Sequence, residues 1–241
     1  MSYFIFNETN SNDLGMIVRK PIIRPTWGNE YAEMALAGGT RKVMQQSKYY
    51  ENSSITIDTY VHDASPEKIR EIYSKLKGEG KLWISTAPDE ILDAIMRPLV
   101  PEPVALLSAE IPINVTCLPF AYAVSPTSVV LTSATDYMEV VNAGTVFSAP
   151  EIRFVPTAAT VTITTNGKDF EISALTEQVT NGYTVVVDSD LNVVYYLKNG
   201  QAIDITQKSK YDLPLLHTGQ NYIKHNGNVG SMSINIRERW L

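Results

Sequence analysis

The chain has little of what catalysis or metal chemistry needs. Among its 241 residues there is one cysteine, Cys117, and three histidines, His62, His217 and His225. A single cysteine cannot form an intrachain disulfide, which fits synthesis in a reducing compartment. The histidines are scattered, and none has a carboxylate or a second histidine at a metal-site spacing. There is no G-x-S-x-G elbow, and "AGGT" at 37–40 lacks the downstream Gly-Lys-Ser/Thr of a phosphate loop. The run "DSDLN" (Asp188, Asp190, Asn192) opens like a calcium loop. Valine, Val193 or Val194, stands where the sixth-position glycine is required, and no glutamate closes it, so it reads as an acidic hairpin turn. No cofactor and no metal is expected, and no motif marks an enzyme.

Positive charge in excess is missing as well. A formal net charge of -6 provides no basic field for a nucleic-acid backbone. No apolar stretch reaches the roughly 18 residues of a membrane span. The first twenty residues lack a basic start followed by a long apolar run, so no signal peptide is readable. The expectation is a soluble protein made in a cytoplasm, with neither nucleic acid nor membrane as partner.

What is present is a globular composition, 44% hydrophobic and 19% charged, enough for a sizeable core. One segment has a full set of helix signals. In "SPEKIREIYSKLKGEGK" Ser65 can cap, Pro66 suits the first helical position, Ile69, Ile72, Tyr73 and Leu76 share a face, and Gly78 ends it. The stretch "PDEILDAIMR" also has helical spacing but lies between strand-like runs, and helix and strand both remain open there. Elsewhere the period is two. "SITIDTYV", "KLWIS" and "AEIPINVTC" alternate, and the last places Ile111, Ile113, Val115 and Cys117 on one face. Cys117 thus belongs to a core, with no neighbouring base or positive field to make a thiolate.

Pro119 removes a ladder donor and is expected to end that strand, and "SPTS" at 125–128 reads as a turn or linker. The division falls at 1–126 and 127–241. Past it no helix is legible, and short strand-like runs recur between turn signals, as in a β-sandwich. Asn166-Gly167 and Asn199-Gly200 each match a type I′ hairpin turn. The proline cluster "RPLVPEPV" at 97–104 reads as an extended connector, with a rigid docking arm as the other reading.

Two sets of residues bear on binding. The segment "GGTRKVMQQSKYYENSS" is locally basic and aromatic through Arg41, Lys42, Lys48, Tyr49 and Tyr50, with Val43 among them. A solvated hairpin loop and a protein interface are both compatible with it. Tyr183, Tyr195 and Tyr196 would serve a lectin-like module binding host cell-wall polysaccharide if they lay on one concave sheet; strand packing is the other reading.

From end to end the chain resembles the distal tail proteins (Dit) of long-tailed siphophages. The resemblance rests on "YFIFNETNSNDLGMIV", the helix followed by "GEGKLWIS", "VTCLPFAY", "VVNAGTVFSAPEIRF", "DLPLLHTGQNYI" and "IRERWL", in that order. It departs at the tip, where Glu238 stands in place of a common proline. The resemblance implies a mainly β fold with one helix: an N-terminal, β-sandwich-like ring domain and a C-terminal galectin-like, jelly-roll sandwich. It implies a non-enzymatic virion protein of the tail tip, made in the host bacterial cytoplasm. Its partners would be copies of itself in a hexameric ring, the tail tube protein, the tail-associated hub or lysin, and receptor-binding proteins. A ring needs two different complementary faces per subunit, and the 38–53 segment is expected to provide one, through Arg41, Lys42, Val43, Lys48, Tyr49 and Tyr50.

Overall fold

The computed structural model describes residues 2–35, 42–132 and 137–241, with the backbone alone described over 29–35 and 42–49. The chain divides into two compact units, Met1–Val124 with Leu241, and Ser125–Trp240. Among the described residues no helix is long and apolar enough to cross a membrane.

The first unit begins with strands β1 (Phe4–Phe6), β2 (Thr9–Asn10), β3 (Met16–Val18), β4 (Asn29–Ala35), β5 (Lys42–Tyr50), β6 (Ser53–Ile57) and β7 (Thr59–Val61). Helix α1 (Pro66–Leu76) follows, then β8 (Gly78–Ile84), β9 (Ala87–Pro98), β10 (Glu102–Ala105), β11 (Ser108–Glu110) and β12 (Ile113–Ala123). One antiparallel sheet runs β2-β1-β8-β9-β12, and β6 also pairs with β12; a second runs β10-β11-β7-β3, and β4-β5 form a ribbon of their own. In α1 the Ser65 hydroxyl accepts from the Lys68 N–H and Pro66 occupies the first turn, as its sequence signals dictate. Ile72 and Leu76 are its buried residues.

Strand β9 resolves the ambiguous stretch. Leu92, Ala94 and Met96 alternate into the core, while Ile91 and Ile95, on the opposite face, are only partly exposed. A strand apolar on both faces imitates helical spacing. The expectation for Pro119 needs correction, because β12 continues through it to Ala123. Cys117 is paired with Ala94 and Ala121 with Leu92, so four steps along β12 span two along β9. The proline lies in this bulge beside Phe120 at φ 78, where no ladder hydrogen bond is asked of it.

The second unit contains β13 (Thr127–Leu131), β14 (Met138–Asn142), β15 (Glu151–Pro156), β16 (Val161–Thr165) and β17 (Lys168–Ile172). After helix α2 (Thr176–Asn181) come β18 (Val185–Asp188), β19 (Val193–Lys198), β20 (Gln201–Asp204), β21 (Ser209–Lys210), β22 (Gly219–His225) and β23 (Val229–Ile236). Two antiparallel sheets, β13-β23-β15-β18-β19-β20 and β14-β22-β16-β17-β21, make a sandwich. Its core alternates out of both: Ile152, Phe154, Val185, Val187, Met232 and Ile234 from one sheet, Val161, Ile163, Phe170, Ile172 and Ile223 from the other. Both Asn-Gly turns have their two central residues at positive φ, 50 and 80 in each case, as type I′ requires. The six-residue helix α2 is an element the sequence reading lacks. The fold is thus mainly β, as expected, with a second short helix.

Candidate protein interface

Within the basic segment Lys42–Tyr50 is a strand, where a loop over 38–53 was one expectation. Lys42–Tyr50 pairs antiparallel with Asn29–Ala35, from Ala35 opposite Lys42 to Asn29 opposite Tyr50. Arg41 lies outside the described residues, as do the side chains of Lys42, Val43, Lys48 and Tyr49. Tyr50 is described: its ring meets Phe120 edge-on at a centroid distance of 5.0 Å. The Glu51 N–H donates to the Gly28 carbonyl beside it. The ribbon is therefore tied to its own unit at the base. Beyond that, β4 and β5 have only each other as hydrogen-bonded neighbours among the described residues. A two-stranded ribbon is marginal in water by itself, so such an arm gains from a surface to lie on.

A second surface lies in and just after the proline tract, for which a connector and a rigid docking arm were the two readings. Residues 102–110 form the β10-β11 hairpin at the edge of its sheet, and Pro103 sits in the edge strand, where a missing donor costs nothing. The tract is held firmly. Leu99 N–H donates to Pro112 O, Ala64 N–H donates to Leu107 O, and the Tyr73 hydroxyl donates to Leu99 O. Yet Val100 is 80% exposed, Leu106 97% and Leu107 63%, with Leu99 and Val104 also in water. Apolar side chains concentrated on a rigid tip mark a contact surface. A rigid docking arm was one of the two readings compatible with the proline-rich sequence; the exposure of the leucines that follow it was not legible there.

Cys117 carries no chemistry. It is fully buried, burial pushes its thiol up to about 12, and its carbonyl accepts from the Trp27 indole at 3.4 Å. Among the described residues no group of three His, Cys, Asp or Glu side chains is placed to hold a metal. The run Asp188–Asn192 is the β18-β19 turn. Asp188 Oδ1 accepts from the N–H groups of Asp190 and Leu191, and both its oxygens bond Arg237, at 2.7 and 2.9 Å. Burial opposes the charge on Asp188, but Arg237 and the two backbone N–H groups outweigh it and hold its carboxyl below the usual range. Glu238, the departure at the tip, is buried, and its carboxylate accepts from the Thr127 N–H.

The three tyrosines do not share a face. Tyr196 packs in the core, with Tyr183 stacked on it at 5.5 Å, while Tyr195, the next residue along β19, points to the other side of the sheet. Glu177 accepts from the Tyr196 hydroxyl and from Lys198, so this cluster is bound up in its own structure.

The motif "VVNAGTVF" has a structural role. Asn142 is buried; its amide nitrogen donates to the carbonyls of Val146, Leu216 and His217, and its oxygen accepts from Gly144 N–H. Gly144 lies so close to the Arg239 backbone that a Cβ would overlap its carbonyl oxygen. Arg239 O in turn accepts from the N–H groups of Thr145 and Val146. A quoted motif thus fastens three segments of the sandwich together.

No protein-family model and no curated protein sequence matches this chain. Among solved structures it is similar to the crystal structure of the Dit protein (gp 19.1) of phage SPP1, described as a paradigm of the hub adsorption apparatus in phages infecting Gram-positive bacteria. The two share 18% sequence identity and superpose with a TM-score of 0.76, covering 100% of both chains. At that identity the likeness speaks for architecture, and over its whole length the chain has the fold of SPP1 Dit.

Proposed function

We propose that this protein is a Dit-family structural subunit of the tail tip of a long-tailed phage or prophage. Copies of the chain close into a hexameric ring that joins the tail tube to the tail-associated hub or lysin and to the receptor-binding apparatus. In this reading residues 1–126 build the ring, residues 127–241 form an outward platform, and no bond is made or broken by the protein. The observation that carries the reading is the full-length match to SPP1 Dit, both units together. The surfaces of the first unit agree with it. A closed ring repeats a heterologous contact, and the β4-β5 ribbon and the apolar β10-β11 tip are two unlike surfaces on one subunit.

Negative-stain microscopy and light scattering of the purified protein test this directly. The expected result is a central-holed, six-fold ring, alone or with the tail tube protein. Substituting Arg41, Lys42 and Lys48 together by Glu weakens it. A chain that stays monomeric in both settings, and turns over a cell-wall substrate, overturns the reading.

A further inference from the structure

The two sheets of the second unit end in four edge strands, β13 and β20 in one sheet and β14 and β21 in the other. An edge strand offers unpaired backbone N–H and C=O groups to any chain that can lie beside it, and folded proteins blunt such edges by shortness, charge, proline or a bulge. β21 is two residues long and includes Lys210. β20 ends at Asp204, whose carboxylate accepts from Thr206 N–H. β14 carries Glu139, which accepts from the Gln220 amide.

β13 has none of these devices. Its residues Thr127, Ser128, Val129, Val130 and Leu131 include no charge, proline or glycine. They pair with β23 in unbroken register, from Thr127 opposite Ile236 to Leu131 opposite Met232. Among the described residues no other strand pairs with it.

Alternation across the sheet fixes which groups this edge offers. Ser189 N–H donates to Pro150 O, so Pro150 and, two residues on, Ile152 face β18, while Glu151 and Arg153 face Asn235 and Ser233 of β23. Ile234 and Ile236 of β23 then turn the other way, to Val129 and Thr127. The Thr127 N–H agrees, donating to the Glu238 carboxylate on that side. The N–H and C=O of Ser128 and Val130 therefore point away from β23, to the free edge. Both residues are exposed, Val130 at 57%, whereas Leu131 is buried in the core.

Backbone donors and acceptors in a row beside an exposed valine match an extended polypeptide with an apolar residue opposite Val130. A second copy of the chain fits less well. Antiparallel overlap of β13 with its own copy, centred on Val129, sets each Val130 against a Ser128.

We propose that β13 accepts an uncharged, extended strand from a different protein of the assembly, which continues the sheet through backbone hydrogen bonds to Ser128 and Val130. This rests on the outward platform of the reading above and names how that platform holds a partner. The probe is a capped peptide, Lys-Thr-Val-Thr-Val-Thr-Val-Lys, titrated against the intact chain and followed by hydrogen-exchange mass spectrometry. Its control has proline in place of the middle valine.

The peptide binds with a Kd of about 1 mM, and at about 10 mM it slows exchange over residues 127–131 about tenfold. The proline control binds at least about tenfold more weakly, because it lacks a ladder donor. Val130→Lys and Ser128→Pro each weaken the peptide about tenfold and leave the melting temperature unchanged, since Val130 is half in water and the Ser128 N–H makes no ladder bond. Glu139→Lys, on the β14 edge, leaves binding as it was. The proposal falls if exchange over 127–131 is not slowed at about 10 mM peptide, if the proline control binds equally, or if Glu139→Lys weakens binding as much as Val130→Lys. It falls too if sedimentation velocity shows self-association that Val130→Lys abolishes, because the edge then belongs to a second copy. A six-fold ring without peptide binding removes this proposal alone; peptide binding by a chain that forms no ring removes the ring alone.

Discussion

Residues 99–110 of the first unit and residues 217–240 of the second treat water in opposite ways. The β10-β11 hairpin holds leucines and valines in solvent on a backbone that its hydrogen bonds keep in place. The end of the second unit takes Asn221, Glu238 and the Asp188–Arg237 pair out of solvent and satisfies them internally. Exposed apolar area on a fixed frame is a cost until something covers it; buried polar groups with every partner in place are a cost already met within the fold. In the reading proposed above, that difference suits the first unit to association and the second to holding itself together.

The sharpest way to break this contrast is to remove a buried charge. Asp188→Ala leaves Arg237 without its bidentate partner, with Glu151 at 3.0 Å as its nearest remaining carboxylate. A loss of about 3 kcal/mol is expected in urea unfolding, with hydrogen exchange accelerated along β18 and β23. A loss below about 1 kcal/mol would mean that the ion pair does not hold the sandwich shut. Next comes Asn142→Ala, which takes this partner from Val146 O and Gly144 N–H, while Leu216 O keeps Ser148 N–H and His217 O keeps the Asn221 amide; about 2 kcal/mol is expected from the same measurement.

Acid sharpens the contrast further, because the groups with shifted pKa values and substantial burial in the second unit include His225 and Asp188. His225 titrates lower when folded, so the unfolded chain takes up its proton first, and stability declines as pH drops below 6.5 towards the folded value. Asp188 is also depressed, and its contribution is present above 3.8 and lost as pH falls through its lower folded pKa. Unfolding midpoints across pH 7 to about 2 then show two declines. His225→Gln removes the upper one and Asp188→Asn the lower one; a single decline unaffected by either substitution would assign acid sensitivity to other groups.

How much of this was legible follows the range of each interaction. The Asn166-Gly167 and Asn199-Gly200 turns and the α1 cap were readable because turn and cap chemistry is set within four residues. The inward side of Cys117 followed from alternation alone. The continuation of β12 past Pro119 was not legible, since the bulge that accommodates it depends on the register with β9. Tyr195 and Tyr196 were grouped because they are adjacent in sequence, and adjacency in a strand is what separates them. The site was less legible than the fold. The cationic segment stood out by composition, whereas the leucines of the β10-β11 tip read as ordinary apolar residues until their exposure was known.

The smallest expected change in stability is at Leu106 and Leu107, and it decides whether the hairpin tip belongs to the subunit or to an assembly. Both side chains are largely in water, so replacing them together by Asp removes few contacts within the fold and shifts unfolding by no more than about 0.5 kcal/mol. In a subunit contact the same change places two charges where apolar surface is buried, and sedimentation velocity should show dissociation at concentrations where the unaltered chain is associated. A loss of folding stability above about 1 kcal/mol would show the tip packing on its own unit. Unchanged association would confine subunit contact to the β4-β5 ribbon, and the Arg41, Lys42 and Lys48 charge reversal would then carry the whole effect.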